Sequence, residues 1–483
     1  MRSHVLSITL VLLMLASLRS FALSPLTLAI LPEVTLATNV ANADSDVTKP
    51  GLPGVASDGT NYLVLSCRYD NPPLGLFGVL VSSEGAVLNS FFITDAGQFA
   101  NPSAAFDGTN YLIVFQRDGS IYGFRVSPSG NTLDGPEGFL ISTGSSNWKP
   151  NAAFDGTNYL VVWDKFTTNY GVYGSRIATS GQVFGEFPIF AAPGEQVLST
   201  VTFGAGNYFV VWRDTPDGSG PDSTSDIYGT RVSPEGRVLD PAGIPVCTAP
   251  GVQDQPQVTT DGQNYFVDWA DGRELDSSFH IYGTRVSPGG LLLDGPSDTG
   301  GININDSFAD QVPGGLCFDG SAFFVTWWDY SYVSPVGIYG ARVSTTGLLS
   351  DGPATDLGIQ LATPEDNVNI LVNPNPASNG QSVLIPYVQN NQYSGETKSI
   401  LAQLLIPQPA IVQIINSNTA AVTLVVASQN NQRFSVQVTT NLSATASWQN
   451  IETNFIGANG LLNLPLPVSA ASPAMFFRLS VNY

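Results

Sequence analysis

The chain has 483 residues, with 39 acidic against 18 basic side chains and a formal charge of −21 at neutral pH. So acidic a surface excludes a nucleic-acid partner, because a phosphate backbone demands basic patches. Charged residues are only 12% of the chain, about half the usual share of soluble domains, while 43% apolar residues suffice for large cores.

The first element is Met1-Arg2-Ser3-His4, followed by an apolar run from Val5 to Leu18 and the small residues Ser20 and Ala22 around Phe21. This is the pattern of a signal peptide over residues 1–22, and it predicts a mature chain secreted to the periplasm, the cell surface or the medium. No later stretch approaches the ~20 apolar residues of a membrane span. Cys67, Cys247 and Cys317 are odd in number and widely spaced, which makes no disulfide framework. Their apolar and small neighbours predict buried, inert thiols.

From residue 58 onward the chain repeats itself. Asp-Gly followed by Asn-Tyr and an apolar run occurs at Asp58-Gly-Thr-Asn-Tyr62, Asp107-Gly-Thr-Asn-Tyr111, Asp155-Gly-Thr-Asn-Tyr159 and Asp261-Gly-Gln-Asn-Tyr265. Degenerate copies stand at Gly204, Asp319 and Asn379, so the spacings are 49, 48, 49, 57, 58 and 60 residues. A second signature follows in register at Tyr122-Gly-Phe-Arg125, Tyr173-Gly-Ser-Arg176, Tyr228-Gly-Thr-Arg231, Tyr282-Gly-Thr-Arg285 and Tyr339-Gly-Ala-Arg342. Each unit reads as four strands; in the second these are Ala104–Phe106, Tyr111–Phe115, Ile121–Ser127 and Phe139–Ser142. Helical periodicity is missing. Runs such as Tyr159-Leu-Val-Val-Trp163 are apolar on both faces, which an antiparallel sheet tolerates only when covered on both sides.

Stacked blades of a β-propeller supply that cover. The expected fold is therefore all-β: a seven-bladed propeller over residues 23–407, closed by an N-terminal strand at Glu33–Thr38 that completes the seventh blade. The pattern Asp-Gly-x-Asn-Tyr-Leu-Val-Val-Trp, then Ile-Tyr-Gly-x-Arg-Val-Ser, resembles a repeat of secreted bacterial β-propellers, over residues 30–406. The resemblance implies the fold and no assigned reaction. After Pro407-Gln-Pro409 the composition shifts to Asn, Thr, Ser, Val and Ala. Strands expected at Ile411–Ile415, Ala421–Ala427, Phe434–Thr439, Leu461–Leu466 and Phe476–Val481 suggest a small immunoglobulin- or fibronectin-like β-sandwich over residues 408–483. It reads as an accessory or attachment module.

Chemistry is harder to find. His280 is the one histidine left after the signal peptide, which removes the usual His-based triads and zinc sites, and it reads as a solvated loop residue. The repeated Asp caps a tight turn and the repeated Arg is expected in structural ion pairs, since a residue needed in every blade serves the blade.

Function is sought where the units differ. The loop between second and third strands is short in the second unit, Arg117–Ser120, and longer in units four to six. Within it, Asp214, Asp217, Asp222 and Asp226 offer oxygen ligands for Ca2+, with a solvated acidic loop as the competing reading. Asp271, Arg273 and Glu274 follow in unit five. Trp328, Asp329, Tyr330 and Tyr332 in unit six are expected to be exposed and to form a sugar-stacking or protein-binding platform. Asp268 takes a strand position that is Val114, Val162 or Val211 elsewhere, so it should be paired with a repeat arginine or poised for function.

The resulting expectation is a secreted, non-enzymatic binding propeller without an obligate cofactor, recognising a carbohydrate or protein on the loop rim of blades four to six. The alternatives are a carbohydrate-active hydrolase using paired carboxylates from Asp268, Asp271 and Asp329, and an architectural cell-surface component.

Overall fold

The computed structural model describes residues 28–38, 53–68, 75–94, 99–216, 224–274, 278–305, 310–330, 337–351, 358–364, 369–391 and 397–407, and the strands between residues 410 and 481. It divides into two compact units, one built on residues 32–379 and 383–404 and the other holding residues 405–483. All regular structure among the described residues is strand.

The first unit is a seven-bladed β-propeller. Six blades are four-stranded antiparallel sheets whose strands follow one another outward in chain order. In blade 3 these are Asn147–Phe154, Asn158–Phe166, Tyr170–Ala178 and Val183–Phe190. The hairpin from inner to second strand is fixed by its aspartate: Asp155 Oδ1 accepts from the backbone N–H of Thr157 and of Asn158, both at 2.7 Å. The next residue, Gly156, has φ +93°, a conformation that a side chain would strain.

Alternation along the second strand feeds two interfaces. Tyr159, Val161 and Trp163 pack with Leu112 and Val114 of blade 2, while Leu160 and Val162 pack with Tyr208, Val210 and Trp212 of blade 4. All five side chains of that run are at most 1% exposed, which at ~2 kcal/mol each is roughly 10 kcal/mol of gross burial per blade. This is why the run carries no polar alternation.

The repeat residues are interblade ties. Arg125, Arg231, Arg285 and Arg342 each donate to an aspartate nine residues on, Asp134, Asp240, Asp294 and Asp351, at 2.6–2.7 Å from Nη2. Nη1 of the first three reaches forward to a carbonyl of the next blade, at Thr179, Pro288 and Thr345. The repeat tyrosines reach backward: the hydroxyls of Tyr159, Tyr208 and Tyr265 donate to carbonyls of Asn110, Asn158 and Gly204 in the preceding blade. The ion pair expected of the repeat arginines is made by four of the five; Arg176, with Gly185 nine residues on, pairs with no aspartate among the described residues and lies over the Phe184 ring at 5.1 Å.

In blade 7 the third strand, Thr397–Pro407, lies between Val383–Asn391 and the segment Val34–Thr38, which runs antiparallel to it from Val34 opposite Ala402 to Thr38 opposite Ser399. Tyr387 hydrogen-bonds Glu33 beside that segment. Blade 7 also meets blade 1, with Asn375 Nδ2 on the Pro53 carbonyl at 2.9 Å and Asn379 Nδ2 on that of Thr60 at 3.2 Å.

The second unit contains two three-stranded antiparallel sheets. One joins Ala410–Asn418, Ala421–Ser428 and Gly460–Pro467; the other joins Gln449–Ile456, Arg433–Thr439 and Phe476–Val481. Gln449–Ile456 is a strand the sequence reading did not include.

Candidate functional site

Two ends of the ring differ in kind. The Asp-Gly turns and the Arg-Asp pairs lie at one end of the strands and recur in most blades. The opposite end holds the loops between second and third strands and the entries to the inner strands, and there the blades diverge.

The inner strands of blades 2 to 6 enter through a bulge. Asn101, Lys149, Leu198, Gln255 and Asn373 all have φ between +47° and +61°, and four of them precede a proline. The bulges are gripped across blade boundaries. Asp164 of blade 3, 2% exposed, accepts from the backbone N–H of Leu198 at 2.7 Å and from Oγ of Ser199 at 2.6 Å, both in blade 4. Arg213 of blade 4 donates to Asp254 of blade 5 at 3.0 Å.

Beside each bulge, blades 4, 5 and 6 place a glutamine of the inner strand directly opposite an aspartate of the second: Gln196 with Asp214, Gln253 with Asp271, Gln311 with Asp329. The three aspartates are register equivalents, each two residues after the blade's buried tryptophan, and their surroundings separate them sharply.

Asp271 is fully buried and saturated. Its carboxylate accepts from Arg273 Nε at 2.9 Å and Nη2 at 2.6 Å, from Trp269 Nε1 at 2.7 Å, and from the Cys247 thiol at 3.7 Å. Arg273 in turn donates to the Gly300 carbonyl at 2.9 Å and lies over the Tyr282 ring at 4.4 Å, while the Tyr282 hydroxyl donates to Glu274 at 3.2 Å. The structure thus brings the expected residues Asp271, Arg273 and Glu274 together, in a network that leaves the Asp271 carboxylate no lone pair for a ligand. Burial and the Asp271 charge push the Cys247 thiol up to about 12, which suits the inert role expected of it.

Asp214 and Asp226 face each other across the second and third strands of blade 4. Gln196 Nε2 donates to Asp214 at 2.9 Å. Burial raises the pKa of both, and at Asp226 the Asp214 charge adds to it. Asp217 and Asp222 lie outside the described residues, and among the described residues no group of three His, Cys, Asp or Glu side chains is placed to hold a metal.

Asp329 is the third equivalent, and it is bare. It is 0% exposed, and neither carboxylate oxygen accepts a hydrogen bond among the described residues. Burial alone pushes its pKa up to about 6. Its neighbour Trp328 corrects an expectation: it is buried at 8% exposure, because the second strand continues through Tyr330 and carries Trp328 into the sheet opposite Ile338. Tyr332 and the side chain of Tyr330 lie outside the described residues.

Two further residues depart from expectation. His280 is 1% exposed, as the first residue of a third strand opposite Asp271, rather than solvated in a loop. Asp268 is fully buried and pairs with no arginine among the described residues; burial drives its carboxyl well above the usual range, offset only in part by the backbone N–H groups of Gln257 and Asp268. The equivalent residue of blade 6, Thr326, donates its hydroxyl to the Gly315 carbonyl at 2.9 Å, so the position offers carbonyl acceptors.

No protein-family model matches the chain, and no curated protein matches it. Solved structures similar to it are propellers at low identity. The β-propeller domain of the Trilobed protease from Pyrococcus furiosus is 10% identical, with 76% of this chain and 94% of that one covered at a TM-score of 0.43. A neuraminidase-like protein from A/bat/Guatemala/164/2009 is 11% identical over 83% of this chain and 100% of that one, at 0.42. The GH43 endo-arabinanase from Bacillus licheniformis is 12% identical over 53% and 97%, at 0.34. These likenesses bear on the fold alone. The occurrence of a glycoside hydrolase among them nevertheless overturns the expectation of a non-enzymatic chain, since an architecture that carries catalysis gives no ground for excluding it.

Proposed function

We propose that this chain is a carbohydrate-active hydrolase whose site lies on the loop rim of blades 4 to 6, with Asp329 as the general acid. The observation that carries the reading is the bare, buried carboxyl of Asp329 at a position whose register equivalent in blade 5 is fully neutralised. A carboxyl poised near 6 is protonated in mildly acidic solution and gives its proton to the departing glycosidic oxygen. Glycoside hydrolysis needs a second carboxylate, ionised, as base or nucleophile. Asp271 is committed to Arg273, and the proposal gives that role to the Asp214–Asp226 pair of blade 4. Carbohydrate recognition at this rim becomes the binding half of the same activity.

The same proposal places the protein outside the cytoplasm after loss of residues 1–22, with a propeller over residues 23–407 and an attachment module over residues 408–483. Val34–Thr38 serves in it as the strand that closes the ring, and the two C-terminal sheets as the halves of a sandwich.

The test is release of reducing ends from a panel of neutral polysaccharides by the wild type and by Asp329→Asn. The wild type is expected to turn over at least one, with kcat falling on an alkaline limb near pH 6, and the variant to lose 100-fold or more in kcat. Full activity in the variant, or none from the wild type on any glycan, overturns the reading.

A further inference from the structure

Of the tryptophans described, Trp163, Trp212, Trp269, Trp327 and Trp328 are buried, and Trp148 alone is open, at 41% exposure. It stands where blades 4, 5 and 6 have Val197, Asp254 and Val312, one residue after the Asn or Gln in the first two positions of the inner strand, so the blade architecture does not require an indole there.

Its surroundings are set by the strand register. Trp148 lies directly opposite Asp164, and opposed residues of an antiparallel pair share a face of the sheet. Asp164 grips Leu198 and Ser199 of blade 4, which makes this the face turned toward blade 4. Phe166, two residues beyond Asp164, is on the same face, 49% exposed, and its ring meets that of its cross-strand partner Tyr170 at 5.1 Å and 61°. Across the boundary, the charges of Glu195 and Asp164 add to burial in raising the Tyr170 hydroxyl, which sets Glu195 near the aromatic group. Glu195 is itself exposed, and the next residue, Gln196, holds Asp214. Trp148, the Phe166–Tyr170 ring pair and an exposed carboxylate thus lie on facing sides of the junction of blades 3 and 4.

We propose that this junction is a subsite for a neutral oligosaccharide, in which a sugar ring stacks on Trp148, flanked by Phe166 and Tyr170, and donates hydroxyl protons to Glu195. Aromatic faces match the C–H faces of a pyranose or furanose ring. Carboxylates match hydroxyl donors and repel an anionic ligand, as does the charge of the whole chain. The subsite sharpens the hydrolase reading and rests on its glycan component, extending the site from blades 4 to 6 into blade 3.

The experiment is titration of the full chain with neutral hexasaccharides of glucose, xylose, mannose and arabinose, and with an oligogalacturonate as the charged control, followed by tryptophan fluorescence and calorimetry. The wild type is expected to bind at least one neutral hexasaccharide with a change in emission. Trp148→Ala should weaken that binding about tenfold or more, with an unaltered circular dichroism spectrum and melting temperature because the indole is open to solvent, and Trp148→Phe should retain most of it. Undiminished binding by Trp148→Ala, no neutral ligand for the wild type, or preference for the oligogalacturonate or for a protein overturns the subsite. Asp329→Asn separates the two readings. Turnover lost with binding kept supports both, whereas Trp148-dependent binding by a wild type that cleaves nothing leaves the subsite standing and removes the hydrolase.

Discussion

Blades 5 and 6 put the same residue at the same register position, Asp271 and Asp329, each opposite a glutamine and each two residues after a buried tryptophan. In blade 5 the residue two further on is Arg273, which bends back to form a bidentate pair with Asp271 and brings Trp269 and Cys247 into one network. No described cation or N–H reaches the Asp329 carboxylate in blade 6. Both carboxyls are wholly buried, so the difference lies in compensation and not in solvent access. A buried carboxylate with five donors is scaffold; one with none is held near protonation and is available for chemistry.

That contrast can be broken in four places. Arg273→Met should leave the Asp271 charge buried and unpaired, at a cost of about 3–5 kcal/mol in urea unfolding at pH 7. A loss of only a few tenths would mean Asp271 is not neutralised by this pair. Asp329→Asn should act with the opposite sign. A carboxyl raised from 3.8 to about 6 contributes stability fully present below pH 3.8 and lost as pH rises through 6, so the asparagine should gain roughly 3 kcal/mol above pH 6 and nothing near pH 3. A flat difference between the two proteins across that range would contradict the assignment. Asp268→Thr copies the Thr326 arrangement of blade 6. Because the Asp268 carboxyl is also raised, the gain should be present at neutral pH, roughly 1–3 kcal/mol, and fade as pH falls toward 3.8. The smallest effect is expected for Arg285→Gln on the repetitive end, about 1 kcal/mol in the same unfolding assay with no change in turnover. A larger loss of activity there would mean the two ends are not functionally separate.

The fold was legible because repetition amplifies weak local signals. Asp155-Gly-Thr-Asn could be one turn among many, but its recurrence in register with Tyr-Gly-x-Arg defines a blade, and the doubly apolar run Tyr159–Trp163 demands neighbours on both sides. The site was less legible, because its decisive facts are non-local. That Asp271 is neutralised could not be told from its spacing to Arg273, since the same two residues in an open loop need not meet. Trp328 reads as a rim residue because the apolar run before it gives no sign that the ladder goes on; the pairing with Ile338 turns it inward. Trp148 is not legible as a site residue, because the bulge at Lys149 that separates it from the regular part of the strand has no local signature beyond Pro150. Comparing the residue after each strand-opening amide, Trp148 against Val197, Asp254 and Val312, was the signal available.

The ties carried by the repeat residues have a topological consequence. Arg125, Arg231 and Arg285 reach one blade forward, Tyr159, Tyr208 and Tyr265 one blade back, and Asn375 and Asn379 connect the last blade to the first. With the last blade bonded to the first, the ring of blades has no terminal unit where fraying starts, unlike a linear array that must cap its ends. Moving the covalent break from its present seam to another connection, such as residues 191–194 between blades 3 and 4, would leave the set of ties unchanged. Such a circular permutant would present the same variable rim from a different starting point along the chain.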